Sequence, residues 1–376
     1  MNEVVIFCES YPQIKNTLYL ARQSYHDHSV TIVTTEMNNL HEFFNLVNEK
    51  VFQYGLNVVH FDSYQGRMAK TGSRILKALY LVPDIIRERG YLKSVFNKHF
   101  AQLKKAEVFF FSRYFNPSTF HLLKMLDKTN RLVYMPDPTY DVLSIDKTAP
   151  ENLAELVYLL KCKLVYGYDI SLGKHPLGQR ILCMPDKFPR ERVGRIISRE
   201  ERDSLLHDFD ISQYTVFDSS NYNAIYFHDD LRVLTGYDYI TDAVAFERRL
   251  TEVFNVMGKY FPEDKVALKY HPGSDSSQGT ATLPFGNRLP DFIPAEFLYN
   301  DKIKMYLGIS SMALANVEKG LAVSLIDLID FKNDTIRERL KEYLIEWSRS
   351  EVLFPKSLDE FEKILVSIKQ EHREDS

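Results

Sequence analysis

Short apolar runs recur along the chain, and each gives way to a longer amphipathic stretch. VVIFC (4–8), VTIVTT (30–35), VVHF (58–61), EVFFFS (107–112), RLVYM (131–135) and KLVYG (163–167) are short and rich in Val, Ile, Phe and Tyr. Runs of that length and composition read as strands buried on both faces. Between them, residues 12–25, 38–54, 73–105 and 116–128 carry apolar residues at helical spacing. Strand–helix alternation of this kind predicts right-handed crossovers and a parallel sheet covered on both sides.

The pattern breaks at 184–221, where prolines and a dense charge run replace it and leave room for only a short helix. It restarts with NAIYFH (223–228), a helix over 241–260, KVALKY (265–270), IKMYLGI (303–309) and AVSLID (322–327). The chain closes on an amphipathic helix, SLDEFEKILVSIKQ. At 376 residues the chain is too long for one ordinary core. The expected organisation is an α/β domain over 1–195, a linker over 196–222, a second α/β domain over 223–352, and a terminal helix over 353–376 packing back across the two. Both domains are expected to be doubly wound and Rossmann-like, facing a cleft, with ligands outside the carboxyl ends of the strands.

Charge and composition narrow the partners. A formal net charge of −4 gives no field that calls for nucleic acid. The three cysteines, Cys8, Cys162 and Cys183, have neither metal nor disulfide-framework spacing and suit a reducing compartment. MNEVVIFCES lacks the basic start and long apolar run of a signal peptide, and no stretch is apolar enough to span a bilayer. A cytoplasmic protein is expected, with KHFAQLKK (98–105) the nearest approach to a basic surface anchor. GxGxxG after the first strand, GxxxxGK[ST], HExxH and GxSxG are all absent, so neither a dinucleotide cofactor nor a bound metal is expected.

The polar groups of interest follow strands. KVALKY runs into His271-Pro272, and the proline biases His271 away from helical angles. His271 is either a turn histidine bonded to a nearby carbonyl or a donor aimed at a ligand. Lys269, two residues earlier, shares its face on an extended chain, and the two together suit an anion. Glu296 follows a proline and reads either as a first-turn acid favoured by the helix dipole or as a ligand group. Ser310-Ser311 follow Gly308 at a strand-to-helix junction, where hydroxyls and spare amides suit either a helix cap or a phosphate. In the first half, Asp137 is held between Pro136 and Pro138 just after a strand, as a turn aspartate or as a general base. Glu9, Ser10 and Gln13 after the first strand, and Ser112, Arg113 and Asn116 after EVFFFS, are the acceptor-side candidates.

This set resembles the bacterial sialyltransferases of the two-lobed GT-B type, including the polysialyltransferases. Tyr134-Met135-Pro136-Asp137-Pro138-Thr139 stands in the place of their acidic motif, His271-Pro272 matches their HP motif, and Ser310-Ser311 matches their serine pair. The first acid and the glycine of the acidic motif are missing here, and Asp141 is the alternative base. The resemblance implies an inverting, metal-independent transfer of sialic acid or a related nonulosonic acid from a CMP-sugar to a glycan hydroxyl, in surface polysaccharide or lipooligosaccharide synthesis. It casts Asp137 as base and His271 as the group that meets the leaving phosphate. Ser310 and Ser311 would hold that phosphate, Glu296 the ribose, and Lys269 the cytosine side, and Pro272 of the HP motif would also be nucleotide-binding. Thr235 and Gly236 of LTG (234–236) would supply backbone contacts. No cofactor is implied beyond the CMP-sugar substrate. The acceptor glycan places the work at the cytoplasmic face of an inner membrane, with peripheral contact there and a homodimer both admissible. Two alternatives remain on sequence grounds: a CMP-Kdo-dependent transferase, and a non-catalytic nucleotide-sugar-binding scaffold.

Overall fold

The computed structural model of the chain describes residues 2–35, 39–62, 64, 74–111, 117–136, 159, 171–174, 180–183, 193–229, 240, 242–270 and 285–374. It divides into two compact units, Met1–Tyr214 and Thr215–Ser376.

The first unit is built on a six-stranded parallel sheet. Its strands are β1 (Asn2–Phe7), β2 (His28–Thr35), β3 (Leu56–Phe61), β4 (Glu107–Phe110) and β5 (Arg131–Tyr134). A short pair, β6 (Ser171–Lys174) and β7 (Arg180–Cys183), is antiparallel and separate, and β8 (Arg195–Ile196) adds to the edge beyond β5. The order is β3-β2-β1-β4-β5-β8. Four helices fall where the sequence pattern put them: α1 (Ile14–Ser24), α2 (Leu40–Lys50), α3 (Arg74–His99) and α4 (Pro117–Leu126). The strands bury both faces, so Val5, Phe7, Val33, Val108, Phe110 and Leu132 join one apolar core with Leu92 of α3 and Leu123 of α4. Asn48 of α2 fastens that helix to β3: its side chain donates to the Leu56 carbonyl at 2.8 Å and accepts the Leu56 N–H at 2.9 Å.

Residues 195–214, which the sequence places in or beside a linker, are part of the first unit. β8 pairs in parallel with β5, and α5 (Arg199–Leu206) follows it, capped by the Ser198 side chain. Arg202 of α5 is 5% exposed and donates to the Pro136 carbonyl at 3.1 Å. Tyr214 is fully buried, its ring 5.9 Å from that of Phe52 and 5.5 Å from that of Phe209. A two-residue strand has no periodicity to reveal it, which is why the charge run conceals this docking.

The second unit repeats the plan. Its strands are β9 (Ala224–His228), β10 (Val266–Tyr270), β11 (Asn287–Arg288), β12 (Met305–Gly308), β13 (Leu321–Ser324) and β14 (Val352–Leu353), all parallel, in the order β11-β10-β9-β12-β13-β14. Both sheets therefore carry the strand order of doubly wound α/β folds, in which the first strand lies centrally and the chain reverses direction beside it. α6 (Ala243–Met257) buries Phe246, Leu250, Val253, Phe254 and Met257 along one stripe, and Asp242 caps it by accepting the Val244 N–H at 2.8 Å. α7 (Asp334–Trp347) and the terminal α8 (Leu358–Glu374) complete the unit. α8 packs on α6, and its Glu362 meets Lys259 and the Tyr260 hydroxyl, both at 3.0 Å. Among the described residues no helix is long and apolar enough to cross a membrane.

Candidate functional site

In a doubly wound sheet the ligand crevice opens where neighbouring strands send their connections in opposite directions, outside the carboxyl ends. In the second unit that point lies between β9 and β12, with β10 on the far side of β9. The register sets Tyr270 beside His228 and Gly308 beside Phe227, so the three strands end almost level.

One residue beyond β9, the Asp229 carboxylate bridges to the end of β12. Its Oδ2 accepts the N–H groups of Ile309 and Ser310, each at 3.1 Å, and its Oδ1 accepts the Ser310 hydroxyl at 3.1 Å. Past the last rung of the ladder those two amides have lost their strand partner, and a buried amide needs one. The carboxylate supplies it. Burial raises the pKa of Asp229, and the bonds from Ser310 and Ile309 oppose that rise. Behind the turn, Ser324 donates its hydroxyl to the Ile309 carbonyl at 2.6 Å, and the Leu325 N–H reaches the Gly308 carbonyl at 2.7 Å. Ser311 caps the short 3-10 helix Met312–Asn316, its hydroxyl accepting the Ala313 N–H at 3.4 Å. Both serines are partly exposed.

Lys269 on β10 is 4% exposed. Its ammonium donates to the carbonyls of Tyr270 at 2.7 Å and Asp291 at 3.0 Å. Burial brings its pKa from 10.5 down to about 8, against the pull of the Asp291 and Glu296 carboxylates. Glu296 sits in the 3-10 turn Ala295–Phe297, where burial raises its carboxyl above the ordinary range, with its own backbone bond and Lys269 opposing. At both groups burial is the largest cause of the shift. Tyr299 joins this turn to the serine-headed helix by donating its hydroxyl to the Ala313 carbonyl at 2.6 Å. Its own pKa rises well above 10 through burial and the nearby Glu296. Arg288 lies over the Tyr270 ring, 4.5 Å from its centroid, and pairs with Asp291 at 2.6 Å.

Of the residues singled out from sequence, Lys269, Glu296, Ser310 and Ser311 thus share one edge of the second sheet. Asp137, Asp141, His271, Pro272, Thr235, Gly236, Ser112, Arg113 and Asn116 lie outside the described residues. Asp229 was missed, although it carries the same signal that drew attention to Asp137: an acid directly after a buried strand.

The corresponding point of the first sheet lies between β1 and β4. Glu9, just past β1, is 8% exposed and accepts the Thr119 hydroxyl of α4 at 2.5 Å. Gln13 is 1% exposed and turned inward, its side-chain oxygen accepting the Glu9 N–H at 2.8 Å. The Ser10 hydroxyl is buried, with no hydrogen-bond partner among the described residues. A second polar group sits at the carboxyl ends of β2 and β3, where His60 links the Thr34 hydroxyl, 3.2 Å from Nδ1, to the Asp62 carboxylate, 3.1 Å from Nε2. The His41 ring lies 4.1 Å from that of His60, and burial followed by His60 lowers its pKa. Sequence spacing gave no sign of this cluster, because its members come from three elements. Among the described residues no group of three or more His, Cys, Asp or Glu side chains is arranged to hold a metal ion.

No protein-family model matches the chain, and no curated protein matches it. Solved structures similar to it include the glycosyltransferase of kitacinnamycin, 12% identical over 97% of this chain and 90% of that one, with a TM-score of 0.39. Another is TcCGT1 in complex with UDP, 9% identical over 97% of this chain and 89% of that one, at 0.41. A third is S. aureus MnaA with UDP, 9% identical over 92% of this chain and 88% of that one, at 0.37. At these identities and scores the matches assign the chain neither donor nor acceptor, and its two doubly wound sheets rest on its own strand order.

Proposed function

We propose that the chain is an inverting glycosyltransferase that moves sialic acid, or a related nonulosonic acid, from its CMP-activated form to a glycan hydroxyl. The observation that carries this reading is the gathering of Lys269, Glu296, Ser310 and Ser311, from three separate stretches of sequence, at the ligand-binding edge of one doubly wound sheet. That edge offers a cation, a carboxylate and two hydroxyls, which is the set a nucleoside monophosphate needs. Ser310 and Ser311 hold the phosphate through their hydroxyls, Glu296 accepts from the ribose hydroxyls, and Lys269 supports the base end.

In the reaction proposed, Asp137 takes the proton of the acceptor hydroxyl as its oxygen bonds to the anomeric carbon. The bond from that carbon to the phosphate oxygen breaks, and His271 meets the charge that develops on the departing phosphate. One displacement inverts the anomeric configuration and needs no nucleophile from the protein. A positioned base contributes about 10²–10⁴-fold to such a step, and donors aimed at the leaving oxygen contribute on a similar scale.

The test is a thermal-shift titration with CMP, UMP and GDP on the wild type and on the double variant Ser310→Ala, Ser311→Ala. CMP is expected to raise Tm by mass action, and the double variant to lose most of that rise while keeping its own melting temperature within a few degrees. A shift with UMP or GDP and none with CMP would remove the donor assignment. An unchanged CMP response in the double variant would remove the serines from the phosphate site.

A further inference from the structure

The phosphate cradle of the second unit already holds an anion that belongs to the protein. Asp229 occupies the Ile309 and Ser310 amides and the Ser310 hydroxyl, all at 3.1 Å. The Ser310 hydroxyl has a single proton to donate, so a phosphate bound there takes it in competition with the carboxylate. A phosphate oxygen one further hydrogen bond away, about 2.7 Å, leaves the two anions roughly 5 Å apart.

We propose that Asp229 is a resident like-charge group at the donor phosphate site, one that penalises the doubly charged phosphate of CMP more than the singly charged phosphodiester of the donor and so favours product release. The proposal rests on the CMP-sugar reading above. In the donor the phosphate is a diester with a single negative charge. Transfer breaks its bond to the sugar and leaves CMP as a monoester, which carries about −1.5 to −2 at pH 7. The extra charge arises at the moment of transfer, beside a fixed carboxylate. A unit charge added about 5 Å from another, at the effective dielectric of a protein surface, corresponds to about a hundredfold in affinity. Partial exposure of Ser310 and Asp229 to solvent brings the expected effect down to about tenfold. The same carboxylate keeps the Gly308–Ser311 turn in shape through its bonds to Ile309 and Ser310.

Asp229→Asn separates charge from shape. The amide oxygen still accepts the Ile309 and Ser310 N–H groups, and the amide NH2 donates to the Ser310 hydroxyl in place of accepting from it. Calorimetric titration at pH 7.5 with three probes gives the measurement: CMP, its singly charged methyl ester, and uncharged cytidine. Asp229→Asn is expected to tighten CMP about tenfold, the methyl ester by less, and cytidine not at all. Asp229→Ser, which removes the charge with a smaller side chain, is expected to give the same ordering and serves if the asparagine variant folds poorly. Equal changes for all three probes, no change, or weaker CMP binding would overturn the proposal and leave Asp229 as a brace. A charge-graded gain for UMP and its ester in place of the cytidine series would overturn the base assignment and uphold the role of Asp229. Absence of binding by wild type and variants alike would remove the nucleotide site and this role with it.

Discussion

Lys269 offers a quantitative test of how dry the candidate site is. The residue is 4% exposed, and burial takes its pKa from 10.5 to about 8. At about 1.36 kcal/mol for each pH unit of displacement, carrying that charge inward costs the folded protein roughly 3 kcal/mol at neutral pH. The sign follows from proton binding. Between the folded and unfolded pKa values the unfolded chain holds the extra proton, so stability rises with pH across that window. The deficit is present in full below about pH 8 and fades as pH climbs through 10.5. Integrating from pH 7 to 9.5 gives the wild type about 2 kcal/mol that a variant without the lysine does not gain.

The perturbation is Lys269→Met, which keeps the volume and removes the charge. Methionine cannot donate to the Tyr270 and Asp291 carbonyls, and that loss is a constant offset at every pH. The assay is urea unfolding of wild type and variant at pH 7 and pH 9.5, with the difference in unfolding free energy compared between the two. Titration of other lysines and tyrosines is common to both proteins and cancels. The wild type is expected to gain about 2 kcal/mol on the variant over this range. A difference that stays flat would show that water reaches the ammonium, and the description of Lys269 as a desolvated cation would fall with it.

Two further substitutions test the framework of the two sheets, one in each unit. Gly320, ahead of β13, has φ +82, and an added Cβ would come within 2.7 Å of the Ile303 carbonyl oxygen, so Gly320→Ala is expected to cost about 1–3 kcal/mol in denaturant unfolding; a neutral result would mean that this turn adjusts freely. Asn48→Ala strips both hydrogen bonds from the Leu56 backbone at the α2–β3 junction and is expected to cost about 1–3 kcal/mol, with earlier amide exchange along β3.

The strands were legible because a parallel sheet buried on both faces writes itself as unbroken apolar runs. VVIF, VTIV, AIYF and VALKY each fall inside an observed strand. What escaped has no such signature. β8, β11 and β14 are two residues long and are defined by pairing alone. α7 lies in DTIRERLKEYLIEW, whose charges outnumber the buried Leu340, Tyr343 and Leu344 that seat it. The docking of part of the charge-rich stretch escaped for a related reason: Arg202 docks through its guanidinium on a carbonyl, and a buried arginine looks like a surface one in sequence.

The site shows the same division between what a strand end announces and what the fold assembles. Lys269 was readable because alternation along an extended chain fixes its face, and Ser310-Ser311 because Gly-x-Ser-Ser marks a junction. Neither pattern says which partner satisfies the serines. Ser311 turned out to be a cap and Ser310 the donor to a carboxylate 81 residues away. An acid after β9 and amides after β12 become neighbours only because the chain, having laid β10 and β11 to one side of β9, crosses to the other to lay β12. Sheet order is thus what converts an ordinary post-strand aspartate into the partner of the Ile309 and Ser310 amides and the Ser310 hydroxyl.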